Sequence, residues 1–160
     1  MNARVLSIFR DPGPKTEDHT GSGMLCCQND DPSAELHATL LADAGIPVAE
    51  LLPWNSDPWY INRKSTGEEI DVAANALKRL IDLAPDLRIV ILHGGGARTG
   101  WRRFARRYPA TANGLVTVET YHTSRQAFWH KDPDVRAQRR AKLSADFAHA
   151  ANLLRSAPPR

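Results

Sequence analysis

Three polar residues of the types that catalysis and recognition use stand just past apolar runs. Asp11 follows Arg4 to Phe9 (RVLSIF) and opens DPGP at 11–14. Asn55 lies within LLPWNSDPWY at 51–60. His122 follows Leu115 to Thr120 (LVTVET) and sits in YHTSR at 121–125. A positioned carboxylate or imidazole can transfer protons, and an amide offers a donor group and an acceptor. Singly, each has an ordinary structural reading: Asp11 as a turn or cap residue, Asn55 as a turn former, His122 as a satisfied structural histidine. Together they say more. If the three runs are parallel strands, all three residues lie at carboxyl ends and face one crevice, where open α/β sheets bind ligands.

The surroundings of Asn55 sharpen this reading. Two prolines and two tryptophans, Pro53, Trp54, Pro58 and Trp59, flank it closely. Proline lacks an N–H and fixes φ, so the sequence predicts that the chain leaves its strand at Pro53 and opens into a stiff, aromatic-walled loop. A rigid wall holding one amide suits the reading of a nucleobase. The ordinary alternative is an aromatic loop covering a core edge.

The positioning elements follow from periodicity and punctuation. Arg4 to Phe9 is a buried strand ended by turn chemistry at 11–14. Residues 15–32 form a long polar loop, unlikely filler in a compact domain. Ser33 to Ala44 is a helix capped by Asp31 or Ser33, with Leu36, Leu40 and Leu41 as its stripe and Gly45 at its end. Val48 to Leu52 is a second strand. Thr66 and Glu69 have capping-box spacing before a helix with the period Ile70, Ala73, Ala74, Leu77, Leu80 and Ile81, stopped by Pro85. Leu87 to Leu92 (LRIVIL) reads as a central parallel strand. Gly94 to Gly96 lead into a basic helix, Ala97 to Arg107. Leu115 to Thr120 is the fourth strand, 125–133 an aromatic and basic loop, and Pro133 to Leu154 a helix presenting Leu143, Phe147, Ala151 and Leu154. Residues 155–160 are a frayed tail. The expected fold is α/β: a single domain over 1–160, a three-layer α/β/α sandwich around a four-stranded, mostly parallel sheet.

Composition excludes several classes. With 160 residues, 42% of them hydrophobic and 24% charged, the chain can bury a real core. No apolar run nears the roughly 18 residues that span a membrane, and no basic segment followed by a long apolar one suggests a signal peptide. A cytoplasmic protein is expected. Cys26 and Cys27 are adjacent, match no metal-ligand spacing and read as reduced thiols near a pocket; a four-cysteine cluster is impossible. HGGG at 93–96 lacks the G-x-S-x-G partner of a lipase. Gly94, Gly96 and Thr99 match the dinucleotide fingerprint only in part. The glycines fit a tight strand-to-helix turn, or backbone N–H groups meeting an anion. The net charge is +3, but arginines crowd 98–107 and basic residues crowd 125–142. A basic second half suggests a polyanion, or else solvated helix faces.

In order and spacing, these segments resemble the uracil-DNA glycosylase superfamily over nearly the whole chain. DPGP is similar to its first motif, and GSG…NDDP at 21–32 to the loop that supplies a base-stacking side chain. LLPWNSDPW resembles a bacterial branch with a WNxxPW motif and no iron–sulfur cluster. ILHGGGARTGW at 91–101 is similar to its third strand and helix start, and YHTSR to its last motif, usually H-P-S.

The resemblance implies a monofunctional enzyme without cofactor or metal, acting on uracil-containing DNA as a monomer. It would flip the base out of the duplex. Asn55 would read uracil, His122 would donate to O2 of the departing base, and Asp11 would orient or deprotonate water. Pro12, Gly13 and Met24 would complete the substrate pocket. Backbone near Gly13 and Ser124 would hold base and phosphate, with Arg125, Gln126 and Arg98 on the DNA. Departures from the pattern have consequences. Met24 replaces a stacking Phe. Gly13 replaces a Tyr that excludes the thymine methyl, so discrimination against 5-substituted bases should weaken. Thr123 replaces Pro. Gln126, Phe128 or Trp129 could wedge into the duplex, or Phe128 and Trp129 could anchor the loop to the core. The chain begins directly on its first strand, where family members carry a helical region, so it is either a shortened form or one missing residues upstream. Two other readings stand beside this one: a non-catalytic relative that binds uracil- or abasic-site DNA, and a hydrolase of small nucleotides.

Overall fold

Each apolar run of the sequence becomes a five-residue strand, and each polar-punctuated interval a helix. The computed structural model describes residues 2–12, 26–59, 63 and 65–156. In chain order the elements are β1 (Val5–Phe9), α1 (Pro32–Ala44), β2 (Leu51–Asn55), α2 (Gly67–Asp82), β3 (Ile89–His93), α3 (Gly94–Arg107), α4 (Pro109–Asn113), β4 (Val116–Thr120), α5 (Arg125–Phe128) and α6 (Pro133–Ser156). The sheet order is β2-β1-β3-β4, and every pairing is parallel.

Alternation along the strands divides the core in two. Val5, Ile89, Ile91 and Val118 pack with Leu40 and Leu41 of α1 and Leu143, Phe147 and Leu154 of α6. Leu6, Ile8, Val90 and Leu92 face the other way, onto Leu77 and Ile81 of α2 and Trp101 and Phe104 of α3. This is the expected three-layer sandwich, with the sheet buried on both faces as parallel sheets require. Among the described residues no helix is long and apolar enough to cross a membrane.

Local signals fix the helix ends. Asp31, not Ser33, caps α1, accepting from Ser33 N and Ala34 N, and Gly45 closes it at φ 72°. Thr66 and Glu69 form a complete capping box on α2.

The second strand departs from expectation. Val48–Glu50 is a 3-10 turn, and β2 runs through Pro53 to Asn55 instead of ending at Pro53. Position explains this. β2 is an edge strand, and Ser56 N donates to Phe9 O at 2.8 Å, so alternate N–H groups face β1. The nitrogen of Pro53 has the opposite parity and points away from β1, so the ladder loses no bond. Smaller differences lie elsewhere: β3 extends to His93, α3 starts at Gly94, residues 125–128 are a helical turn, and α4 is an added turn. Gly13 and Met24 lie outside the described residues, as do residues 157–160 of the expected tail.

Phe147 is 1% exposed and its ring lies 5.8 Å from His37 and 5.9 Å from His93. Phe147→Ala should cost about 3–5 kcal/mol in urea unfolding. A loss below about 1 kcal/mol would contradict the core assignment.

Candidate functional site

The parallel register carries three chain ends to one edge. Asn55 ends β2 opposite Phe9, and the ladder continues past both, with Asp57 N donating to Arg10 O at 2.8 Å. Asp11 follows. His122 lies two residues past Thr120, the register partner of His93. The Phe9 and His122 rings meet edge-on at 5.5 Å. Asp11, Asn55 and His122 therefore share the carboxyl edge.

The start of α3 permits this convergence. Gly94 has φ 81°, and a Cβ there would sit 3.4 Å from His122 Cβ. A Cβ on Gly96 would sit 2.3 Å from Arg10 Cγ, and one on Gly100 2.6 Å from Ser56 Oγ. Three glycines thus each receive one strand end. They serve close packing, which the sequence offered as one reading of HGGG.

Beneath the edge lies a polar and aromatic cluster. Ser7 Oγ is hydrogen-bonded to His93 Nε2 at 2.7 Å and to His37 Nε2 at 3.2 Å. Phe9 stacks on His93 at 4.1 Å and meets His37 edge-on at 5.3 Å. Burial drives the His37 pKa down to about 4, with His122 adding to the effect. Burial holds His93 well below the ordinary histidine range, helped by His37 and His122. Among the described residues no cluster of His, Cys, Asp and Glu could hold a metal ion.

His122 is half-buried, and its Nδ1 accepts from Ser124 N at 3.0 Å. Burial lowers its pKa and Arg10 lowers it further, against Asp11 and Asp31. The ring is therefore neutral at pH 7, with its proton on Nε2. Asn55 is 7% exposed, and its Oδ1 has no partner among the described residues. Among the described residues, the other buried polar side-chain atoms without partners are Trp54 Nε1, Ser56 Oγ, His93 Nδ1, Thr120 Oγ1 and Thr123 Oγ1. His93 Nδ1 does face the Tyr121 backbone, short of full hydrogen-bond geometry. Every one of these atoms belongs to the carboxyl end of β2, β3 or β4. Native proteins leave few such groups unpaired, and among the described residues they concentrate on this one edge.

The remaining expected site residues fall into three groups. Asp11 and Pro12 are half-buried at the end of β1, and Asp11 is paired with Arg10. Ser124 precedes α5, and Arg125 and Gln126 are exposed on its first turn. Phe128 is 4% exposed and anchors this loop in the core, whereas Trp129 is 74% exposed. Arg98 is part-exposed, 3.4 Å from Glu119 and bonded to Gly94 O. Arg103 and Arg107 are likewise engaged, with Asp71 and Asn75. Arg98 and Arg103 thus have acidic neighbours, whereas Arg107 keeps its charge beside a neutral amide. Cys26 and Cys27 are free thiols, and Cys27 joins the core.

Sequence reasoning missed Ser7, His37, His93 and Arg10. Two signals were present. Ser7 interrupts a wholly apolar strand and needed a buried partner. His37 sits three and four residues before Leu40 and Leu41, on the buried stripe.

Neither a protein-family model nor a curated protein matches the chain.

The histidine cluster makes stability pH-dependent. Folded His37 titrates near 4 against 6.5 for an ordinary histidine. The unfolded chain therefore binds protons first, so stability is full above pH 6.5 and falls as pH drops toward 4. His37 alone should cost about 3 kcal/mol over that range. Thermal melts from pH 8 to pH 4 should show the loss, and His37→Gln should flatten it. Parallel curves for the two proteins would contradict the assignment.

Proposed function

We propose that this chain is a monofunctional DNA glycosylase that flips uracil out of DNA and hydrolyses its N-glycosidic bond, opening base excision repair. One observation carries the proposal: the buried, unpartnered Oδ1 of Asn55 shares an edge with a neutral imidazole. Uracil presents a donor at N3–H flanked by acceptors at O2 and O4. Asn55 Oδ1 accepts from N3–H and its NH₂ donates to O4. Cytosine carries the reverse pattern and leaves buried groups unpaired, at a cost of about 1–3 kcal/mol or more. The likeness of DPGP, WNSDPW and YHTSR to glycosylase motifs supports the same reading.

The chemistry then needs two side chains. The C1′–N1 bond breaks and its electron pair leaves with the base. His122 Nε2–H donates to O2, where negative charge develops. The Asp11 carboxylate offsets the positive charge on the sugar, orients water toward C1′ and takes the proton that water releases. Exposed Arg125, Gln126 and Trp129 follow the carboxyl end of β4 and suit contact with the strand around the flipped nucleotide.

A second reading has one observation in its favour. Arg10 neutralises Asp11, which suits a relative that binds uracil- or abasic-site DNA without cutting it.

A base-release assay on uracil-containing oligonucleotides decides between the two. The proposal expects uracil release, reduced about 10²-fold or more by Asp11→Ala, His122→Ala and Asn55→Ala. The rate should be level at neutral pH and fall in acid, where protonation of His122 removes the acceptor that Ser124 N–H uses. DNA binding without release would leave the second reading. Full activity in both Asp11→Ala and His122→Ala would refute the first.

A further inference from the structure

Arg10 is the least expected feature of the edge. Its Nε lies 2.5 Å from Asp11 Oδ1, and its Nη2 lies 3.1 Å from Oδ2, a two-point pairing. Its side chain is nonetheless 67% exposed, against 24% for Asp11. The aliphatic stem lies over Gly96, where a Cβ would meet Arg10 Cβ, Cγ and Cδ at 2.7, 2.3 and 2.6 Å. The stem thus packs on backbone, while the guanidinium, hydrogen-bonded among the described residues to Asp11 alone, is largely exposed.

The pairing conflicts with the task of Asp11. A carboxylate whose charge is cancelled by a guanidinium stabilises a cationic sugar poorly, and both its oxygens are already accepting. Pairs this exposed hold weakly, however. A phosphate offers the guanidinium the same two-oxygen geometry as a carboxylate. Any pose that brings C1′ of a flipped nucleotide to Asp11 brings that nucleotide's own phosphates to the adjacent residue.

We propose that Arg10 is a substrate-phosphate ligand that covers Asp11 in the free protein and moves onto a backbone phosphate beside the flipped nucleotide, uncovering the carboxylate only when DNA is bound. No bond is made or broken in this exchange; one ion pair replaces another. Arg10 is then a positioning residue, and the weak free-state pair keeps the uncovered carboxylate for the bound state. This rests on the glycosylase reading for what Asp11 does next, but not for the exchange itself.

The test uses the full chain with an oligonucleotide bearing 2′-fluorodeoxyuridine, whose glycosidic bond resists cleavage. Arg10→Gln should weaken binding and lower the slope of log affinity against log salt by about one. With cleavable uracil DNA, its KM should rise several-fold more than its kcat falls. In 15N-labelled protein, the Arg10 Nε–H resonance, identified by its loss in Arg10→Gln, should move when the DNA is added. Gly96→Ala should move it in the free protein, because the added Cβ displaces the stem while keeping the guanidinium. An unchanged salt slope with an unmoved resonance would overturn the proposal. A changed slope and a moved resonance, without base release by the wild-type protein, would uphold the phosphate contact and refute the glycosylase reading instead.

Discussion

The edge depends on a steric constraint: the first turns of α3 present bare backbone where three strand ends must lie. Gly94 faces His122, Gly96 faces Arg10 and Gly100 faces Ser56. At Gly96 and Gly100 the contact is too close for a Cβ, while Gly94 has room for one but needs a left-handed φ of 81°. A Cβ at Gly96 or Gly100 would displace the side chain of Arg10 or Ser56, and one at Gly94 would strain its left-handed backbone. Because α3 begins directly after β3, its positive end also points at the crevice. The same geometry that packs the chain ends together suits a site for an anionic ligand.

A second layer holds that geometry from below. Ser7, His37, His93 and Phe9 tie β1, α1 and β3 together through two hydrogen bonds and a parallel ring stack, with Phe147 of α6 closing the cluster. Buried polar groups of this kind are costly unless paired. Here the pairing is made between side chains, while among the described residues most of the unpaired atoms, on Asn55, Ser56, Thr120 and Thr123, stand at or past the strand ends, His93 Nδ1 being the one within the cluster. Rigidity lies below and unmet hydrogen-bonding capacity above, the arrangement a preorganised ligand site requires.

Much of this was legible in the sequence, for reasons that are local. Apolar runs bounded by turn residues define β1, β3 and β4, and the Thr66–Glu69 box and Gly45 mark helix ends through chemistry that acts within a few residues. The shared edge of Asp11, Asn55 and His122 follows once the strands are taken as parallel. What could not be read depends on neighbours distant in sequence. Pro53 stays in β2 because β2 is at the sheet edge, and strand order is not written in a single segment. Adjacent residues in a strand point to opposite faces, so nothing in the pair Arg10–Asp11 suggests that the two side chains meet. They do so because the strand has ended at Phe9. Nor does the sequence of α3 show that Arg98 and Arg103 have acidic neighbours in Glu119 of β4 and Asp71 of α2.

The central claim is that Asn55 and His122 form one recognition site whose hydrogen-bonding pattern matches uracil. Titrating free uracil and free cytosine into 15N-labelled protein tests it most directly, through the Asn55 side-chain amide and the His122 ring nitrogens. The account predicts that uracil shifts both sets of signals together along one saturation curve, while cytosine leaves them in place. Equal responses to the two bases, or uracil binding that moves neither residue, would contradict it.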